Sequence, residues 1–382
     1  MVTMRRVYFD NAATSWPKAP GVPEAVMRHL QDECVNPNRT FSKAMEAEED
    51  RLLALRDRLS ALFGTRSTAV FTPSLTEALN VLIAGRGNKD GTVLCTSFEH
   101  NAVMRTLAMH SIPFRLLPHD TSGGTLWDEA DKLVDHSCTL LVVNAASNVS
   151  GIVADLERAA DFARRHALPL VVDTAQATPY MDIDMEALGI SALAFTAHKG
   201  LLAPEGLGGF IATDDYLCQL SPLIAGGTGS QSDSLEMPTS IPDRYEAGTL
   251  NTPAIAGLDA ALAHLEAHRK ELRDAERKAT VRLYEALARV DGLEIVGRTD
   301  LDRHVPLFSV TTGRMDLSRL TVELSRRAGI ESRVGMHCAP CAHRALGTWP
   351  GGTLRFSAGP FTTEEDYEIL TRTLKEVLDG NI

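Results

Sequence analysis

Ala194-Phe195-Thr196-Ala197-His198-Lys199-Gly200 is the stretch on which the reading of this chain turns. A short apolar run, Ala192 to Phe195, ends in a hydroxyl, an imidazole and a lysine. Small residues and a glycine-rich turn follow, Ala203-Pro204-Glu205-Gly206-Leu207-Gly208-Gly209. A lysine at a strand exit with little bulk around it can reach a bound ligand and be desolvated there. Its amine can then act as a nucleophile and a base. Taken alone, Lys199 reads as an ordinary exposed loop lysine, because lysines are mostly exposed. The rest of the chain changes that reading.

Outward from this stretch, short apolar runs alternate with amphipathic segments. The runs predict strands over Ala69–Thr72, Thr92–Ser97, Phe114–Leu117, Thr139–Asn144, Pro169–Asp173, Ala192–Thr196 and Gly209–Ala212. Helices are expected between them over Thr76–Ala84, Ala102–His110, Leu126–Asp135 and Leu156–His166. Such alternation indicates an α/β fold with a mainly parallel sheet covered on both faces. Ligands of such sheets bind beyond the carboxyl ends of the strands. That rule points to Ser74-Leu75-Thr76, Glu99-His100, Ser147-Asn148, Asp173 to Gln176, and Thr196 to Lys199.

On the N-terminal side, Tyr8 to Thr14 reads as a short extended piece. A helix is expected over about Glu24–Glu33, a turn at Asn36-Pro37-Asn38, and a helix over Ser42–Phe63 with Ser42 as cap and Gly64 as stop. On the C-terminal side, Gly226 to Asp243 is a long Gly/Ser/Pro-rich loop, of a length that is usually functional or mobile. A long helical region over Pro253–Arg289 follows. Strands are then expected over Leu293–Val296, Leu307–Thr311, Glu331–Val334 and Thr353–Ser357, with helices over Leu317–Ala328 and Glu364–Leu378. This last part reads as a smaller α+β domain. No internal repeat or low-complexity tract is visible.

Length and composition agree. A chain of 382 residues suggests two domains. An apolar fraction of 44% and a charged fraction of 23% are those of a soluble globular protein. A formal net charge of −12 argues against a general nucleic-acid binder, which needs a basic face. No apolar run approaches a membrane span, and Met1 to Asp10 lack the apolar core of a secretory signal, so a cytoplasmic protein is expected. The six cysteines, Cys34, Cys95, Cys138, Cys218, Cys338 and Cys341, do not read as a disulfide framework. Cys95 and Cys138 lie in apolar runs and read as core residues.

Several pieces now match a known family in family order. They are Asp10-Asn11-Ala12-Ala13-Thr14, Thr76-Glu77-Ala78-Leu79-Asn80, Glu99-His100-Asn101-Ala102, Asp173-Thr174-Ala175-Gln176, His198-Lys199, Glu246-Ala247-Gly248-Thr249-Leu250-Asn251-Thr252, Arg333-Val334-Gly335-Met336-His337-Cys338-Ala339 and Arg355-Phe356-Ser357. The chain resembles the class V, fold-type I pyridoxal-phosphate enzymes, and within them the cysteine desulfurases and selenocysteine lyases. The resemblance spans essentially the whole chain. It implies a large cofactor-binding domain over residues 15–265 with a mainly parallel seven-stranded sheet. Residues 1–14 and 266–382 would form the small α+β domain that carries the reactive cysteine loop.

What the resemblance implies for the site can be set beside the chemistry. Lys199 would carry pyridoxal 5'-phosphate and later move the substrate's Cα proton. Asp173 would face the pyridine nitrogen, where an opposite charge favours the protonated form. Gln176 would bond the phenolic oxygen, and His100 would stack on the ring and shuttle protons. Leu75 and Thr76, at a helix N-terminus, would bind the phosphate through backbone N–H groups, with Thr196 and His198 adding donors. Thr249 would reach the phosphate of a neighbouring subunit, implying a homodimer with shared active sites. Arg355 would take the substrate carboxylate by a bidentate pair, helped by Asn148, with Arg333 close by. Cys338, its pKa lowered by positive neighbours such as Arg333 and His337, would be the thiolate that attacks the substrate sulfur.

The implied activity is conversion of L-cysteine to L-alanine, with a persulfide left on Cys338 for a protein sulfur acceptor. A selenocysteine lyase or another cysteine-derivative lyase is the nearest alternative. Two departures stand out. Cys341 creates a Cys338-Ala339-Pro340-Cys341 spacing that a desulfurase does not need, and Met336 occupies a place where some relatives carry a second histidine. The loop around Cys338 reads as short and tied to strands. From residues alone, His337, Cys338, Cys341 and His343 also form a possible zinc or redox module, although adjacent His337 and Cys338 seldom face one metal. No metal is expected.

Overall fold

The computed structural model describes residues 5–33, 35–37, 42–87, 91–179 and 181–380. Cys34 and Asn38, the last residue of the expected turn, lie outside the described residues. A seven-stranded sheet dominates the first two-thirds of the chain. Its strand order is Ala69–Thr72, Gly208–Ala212, Ala192–Thr196, Leu170–Asp173, Cys138–Asn144, Thr92–Cys95 and Phe114–Leu116. All neighbours are parallel except Gly208–Ala212, which runs antiparallel to both strands beside it. Every residue of the Ala69, Thr92, Leu170, Ala192 and Gly208 strands is buried. That explains their continuous apolar runs: a sheet covered on both faces has no solvent side to alternate with.

Two apolar layers cover the sheet. One holds Leu55 and Leu59 of the helix Lys43–Leu62 and Phe63 just after it, with Phe162 and Leu258. The other holds Leu79 and Leu82 of the helix Leu75–Ala84, with Val103 and Leu107 of the helix Asn101–Met109. The antiparallel strand fits only because it is glycine-rich where it enters. A Cβ on Gly209 would lie 2.2 Å from the Val70 carbonyl oxygen and 2.6 Å from the Phe195 ring.

The C-terminal part has its own sheet, in the order Arg333–Gly335, Thr353–Ser357, Leu307–Thr311 and Glu294–Ile295, all antiparallel. Its core is Phe9, Leu283, Phe308, Phe356 and Leu370. Phe9 comes from the N-terminal segment, whose strand Val7–Tyr8 pairs in parallel with Ile330–Glu331.

Local structure follows the expected signals closely. Ser42 Oγ accepts from the Met45 N–H at 3.2 Å, and Ser74 Oγ from the Glu77 N–H at 3.2 Å. The strands Leu307–Thr311 and Thr353–Ser357 and the helices Leu317–Ala328 and Glu364–Leu378 have the expected bounds. Four readings need correction. The single strand expected over Glu331–Val334 is two, Ile330–Glu331 and Arg333–Gly335, which join different sheets. The segment Leu126–Asp135 holds only one α-turn, Trp127–Ala130, and a 3-10 turn, Asp131–Leu133. The first helix starts at Val22 and finishes as a π-turn, His29–Glu33. Cys138 is half-buried at its strand's first residue, not in the core. The region Pro253–Arg289 is two helices, Thr252–Ala267 and Arg269–Ala288, separated at His268. Short helices at Met185–Leu188, Asp214–Leu217 and Pro340–Ala345 are too brief to show a period in sequence.

One buried ion pair ties the long loop to the large sheet. Both terminal nitrogens of Arg56 meet the two Glu246 oxygens, at 2.7 and 2.8 Å, and Arg56 also donates to the Ala69 carbonyl. Glu246 Oε1 in turn accepts the Phe71 N–H at 2.7 Å. Replacing Glu246 with Ala would leave the guanidinium buried without its counter-charge. The expected loss is roughly 3–5 kcal/mol of unfolding free energy, read from urea titration; a change near zero would show that the pair does not hold the loop.

Candidate functional site

The carboxyl ends of the parallel strands open into a pocket of about 230 Å³. Each wall comes from a different strand exit. Leu75 and Thr76 begin the helix after Ala69–Thr72. His100 caps the helix after Thr92–Cys95, Asn148 follows Cys138–Asn144, Asp173 ends its strand, and Thr196, His198 and Lys199 follow theirs. Gln176, Arg333, His337 and Arg355 also line it, with Ala12, Ala13, Ser74, Asn144 and Ala175. The chain is forced into this shape at Gly200, where a Cβ would sit 1.6 Å from the Thr178 carbonyl oxygen. No other residue fits beside Lys199 without moving that backbone.

The electrostatics are those of a desolvated site. Burial pushes the Lys199 amine down to about 8, against the pull of Asp173; Arg355 and Arg333 push the same way as burial. Asp173 is buried, and burial raises its carboxyl, opposed by the Ala175 N–H at 2.9 Å and by Lys199. His100 and His198 are both brought down to about 4, first by burial and then by Lys199, so both rings are neutral at neutral pH. His100 Nδ1 accepts the Ala102 N–H at 3.0 Å, which leaves Nε2 as its free ring atom.

Several side chains already have partners. Gln176 Nε2 donates to the Ala12 carbonyl at 2.9 Å, and Asn148 Nδ2 to the His337 carbonyl at 2.6 Å. Arg355 is buried and donates to the Asn148 carbonyl at 3.0 Å and to Asp10 Oδ1 at 2.8 Å. The sites left over are informative. Asn148 Oδ1, His198 Nδ1, His337 Nδ1 and Arg355 Nε are buried without a hydrogen-bond partner among the described residues. Buried polar atoms are normally paired, so these unpaired atoms lining the pocket leave it able to take a polar guest.

Cys338 sits beside the pocket, half-buried, with Arg333 Nη2 at 3.7 Å from its sulfur. Its backbone is unusual: His337 and Cys338 have φ of 46° and 59°, two consecutive non-glycine residues in the left-handed region. The turn is held by the Asn101 N–H on the Cys338 carbonyl at 2.7 Å, by Asn148 on His337, and by the Ala339 N–H on the Met336 carbonyl. The expected help from His337 fails. Its ring is buried, with Nε2 2.9 Å from the Thr353 hydroxyl, and burial and Arg355 push it down to about 2. It stays neutral, so Arg333 is the cation beside the thiol.

Thr249 is exposed and does not line this pocket. Cys341 is half-buried and packs against the large-sheet core, and burial pushes its thiol up. The four residues of the metal alternative do not converge: His343 Nδ1 bonds the Thr348 hydroxyl at 2.7 Å, and no metal-holding group of His, Cys, Asp or Glu occurs among the described residues. No role for Asp10 or Glu99 was legible beyond their place in a motif. Asp10 holds Arg355. Glu99 is fully buried, bonded to the Thr96 hydroxyl at 2.6 Å and the Asn144 N–H at 2.8 Å, and pushed up to about 8 by burial. Finding either contact needed a distance across more than one element.

The profile of the aminotransferase class-V family matches residues 7–370. A probable cysteine desulfurase of Aeropyrum pernix is 31% identical over 396 residues, covering 97% of this chain and 94% of that protein. A probable cysteine desulfurase of Methanothermobacter thermautotrophicus is 29% identical, again over 97% and 94%. Among solved structures, the cysteine desulfurase CsdA of Escherichia coli in an S-sulfonic acid form has a TM-score of 0.84 at 25% identity, over 98% of this chain and 95% of that one. The apo cysteine desulfurase of Thermococcus onnurineus shares the fold with a TM-score of 0.87 at 24% identity, over 98% and 94%.

The depressed Lys199 amine has a direct consequence. Below about 8 it is protonated and unreactive; above, it is a free nucleophile. In protein freed of any bound aldehyde, the rate of Lys199 modification by an amine-specific reagent should rise through a midpoint near pH 8, over two units below an ordinary lysine. A midpoint near 10.5 would mean that the amine is not desolvated.

Proposed function

The chain belongs to the aminotransferase class-V family, and on that premise we propose that it is a pyridoxal-phosphate-dependent cysteine desulfurase acting on L-cysteine. One observation carries the reading: the Cys338 sulfur lies 3.7 Å from the Arg333 guanidinium, at the edge of the pocket that Lys199, Asp173 and Arg355 line. A thiol held beside a cation at such a pocket suits attack on a substrate sulfur. The similarity to probable cysteine desulfurases over nearly the full length supports the same activity.

The residues present fit the cofactor. The free N–H groups of Leu75 and Thr76 at a helix start, with Thr196 and the unpartnered His198 Nδ1, suit a phosphate. Asp173, buried beside Lys199, suits a protonated ring nitrogen, and Gln176 and His100 border the same space. Pyridoxal phosphate, when bound, supplies the electron sink.

The protein's own groups do the rest. Lys199 holds the cofactor and then, as a free amine, takes the Cα proton of the substrate. Arg355 binds the α-carboxylate through its fork, with Asp10 and the Asn148 carbonyl fixing the guanidinium plane. The Cys338 thiolate attacks the substrate sulfur. A sulfur–sulfur bond forms, the carbon–sulfur bond breaks, and its electron pair stays with the substrate carbon. Protonation of that carbon yields L-alanine and leaves a persulfide on Cys338 for an acceptor protein. The anchored turn around Cys338 supports delivery to a docked acceptor rather than a free-swinging sulfur.

The same reading includes a homodimer in which Thr249 reaches the neighbouring subunit's phosphate, supported by its exposure away from its own pocket. It also includes a large domain over residues 15–265 and a small one from 1–14 and 266–382, supported by the separate core around Phe308 and Phe356. All five described cysteines are free, which supports a reducing, cytoplasmic setting. Among the described residues no helix is long and apolar enough to cross a membrane.

Cys338→Ser should abolish alanine release from L-cysteine while the visible absorbance band of the bound cofactor persists; unchanged turnover would remove the nucleophile from this mechanism. Arg355→Lys keeps the charge but loses the fork, and should raise KM for L-cysteine by about tenfold or more, with a smaller effect on kcat. An unaltered KM would place the carboxylate elsewhere.

A further inference from the structure

A second cleft, of about 690 Å³, lies away from the pocket described above. It runs between residues 153–157 and 181–188 on one side and residues 273–280 and 301–306 on the other. Six carboxylates line it against three guanidiniums, so its field is negative. Two of the guanidiniums pair with carboxylates, Arg303 with Asp155 at 2.8 Å and Arg273 with Asp182, although the Arg273 Nε is buried without a partner among the described residues. The third, Arg277, is exposed.

Glu276, on the helix Arg269–Ala288, is the feature that asks for a ligand. It is only 5% exposed, and among the described residues its carboxylate has no hydrogen-bond or ion-pair partner. Burial alone raises its pKa well above the usual range. A carboxylate this little exposed, reached only from the cavities it lines and without a protein partner, is costly to keep charged. Its surroundings define the missing partner. Glu276 and Arg273 line both the polar cleft and an adjoining pocket of about 180 Å³. That second pocket is walled by Leu262, Leu265, Leu272 and Pro179. One carboxylate thus stands where a negative cleft meets a small greasy recess.

We infer that this double cavity binds a small alkylammonium compound, with its ammonium on Glu276 and its aliphatic chain against Leu262, Leu265 and Leu272. The cation neutralises the carboxylate, and the chain removes apolar surface from water. The ligand enters from the open cleft and makes no contact with the residues assigned to the reaction, so the site is separate from the proposed chemistry.

The test uses the full-length protein with its cofactor bound, titrated calorimetrically with N,N-dimethylbutylamine. A tertiary amine is chosen because it cannot condense with a cofactor aldehyde. Saturable binding with one site per chain is expected, weakened about tenfold or more by Glu276→Gln, and absent for the uncharged butan-1-ol. Glu276→Met, which fills the same volume without charge, serves as a second variant and should also lose binding. The visible cofactor band should not move on saturation. The inference is overturned by absence of saturable binding, by equal affinity in the folded variants, by equal binding of the alcohol, or by a shift of the cofactor band that places the amine in the other pocket.

Discussion

A single buried guanidinium joins the parts of this molecule. Arg355 lies on an inner strand of the small sheet, donates to the Asn148 carbonyl in a loop of the large sheet, and pairs with Asp10 in the N-terminal segment. A charge so deeply buried is tolerable only when its bonds are nearly all made. Its demand for partners therefore holds the two sheets and the N-terminal segment in one register. The neighbouring strand residue Ser357 extends the same seam, accepting the Asn11 N–H and the Asn11 amide on its carbonyl and the Ala12 N–H on its hydroxyl. The one nitrogen left unpartnered, Nε, belongs to the residue that lines the pocket.

The pocket is the other side of that constraint. Parallel strands that end together place their exits side by side, and five of those exits contribute polar residues to one pocket. Desolvation then does the chemical tuning. The same low-polarity surroundings bring Lys199 to about 8, keep His100 and His198 neutral, and hold Glu99 near 8. Cys338 reaches this place from the small sheet on a turn with two left-handed residues, a conformation that costs energy and persists because Asn101 and Asn148 grip its backbone.

Much of this was legible before any coordinates. The apolar runs marked all seven strands of the large sheet; for the five fully buried ones the reason is that strands buried on both faces have no alternative composition, whereas the edge strand Phe114–Leu116 is largely exposed. Caps such as Ser42 and Ser74 marked helix starts because they satisfy free N–H groups. The same rule for strand exits picked out the pocket residues Leu75, Thr76, His100, Asn148, Asp173, Gln176, Thr196, His198 and Lys199. Readings failed where a contact decided the outcome. Glu331 and Arg333 look like one strand, but the pairing partners of the two halves differ. His337 looks like a positive neighbour of Cys338, but burial removes its charge.

The sequence by itself determined the α/β alternation, the small α+β part and the residue types at each strand exit, because periodicity, caps and breakers are local signals. Only the tertiary structure decided that Gly208–Ala212 runs antiparallel, that Asp10 secures Arg355, that Arg333 rather than His337 stands as the charge beside the Cys338 sulfur, and that Glu276 has no partner among the described residues. Each depends on which distant segments meet and how much water is excluded between them, and neither quantity is written in the order of residues along a chain.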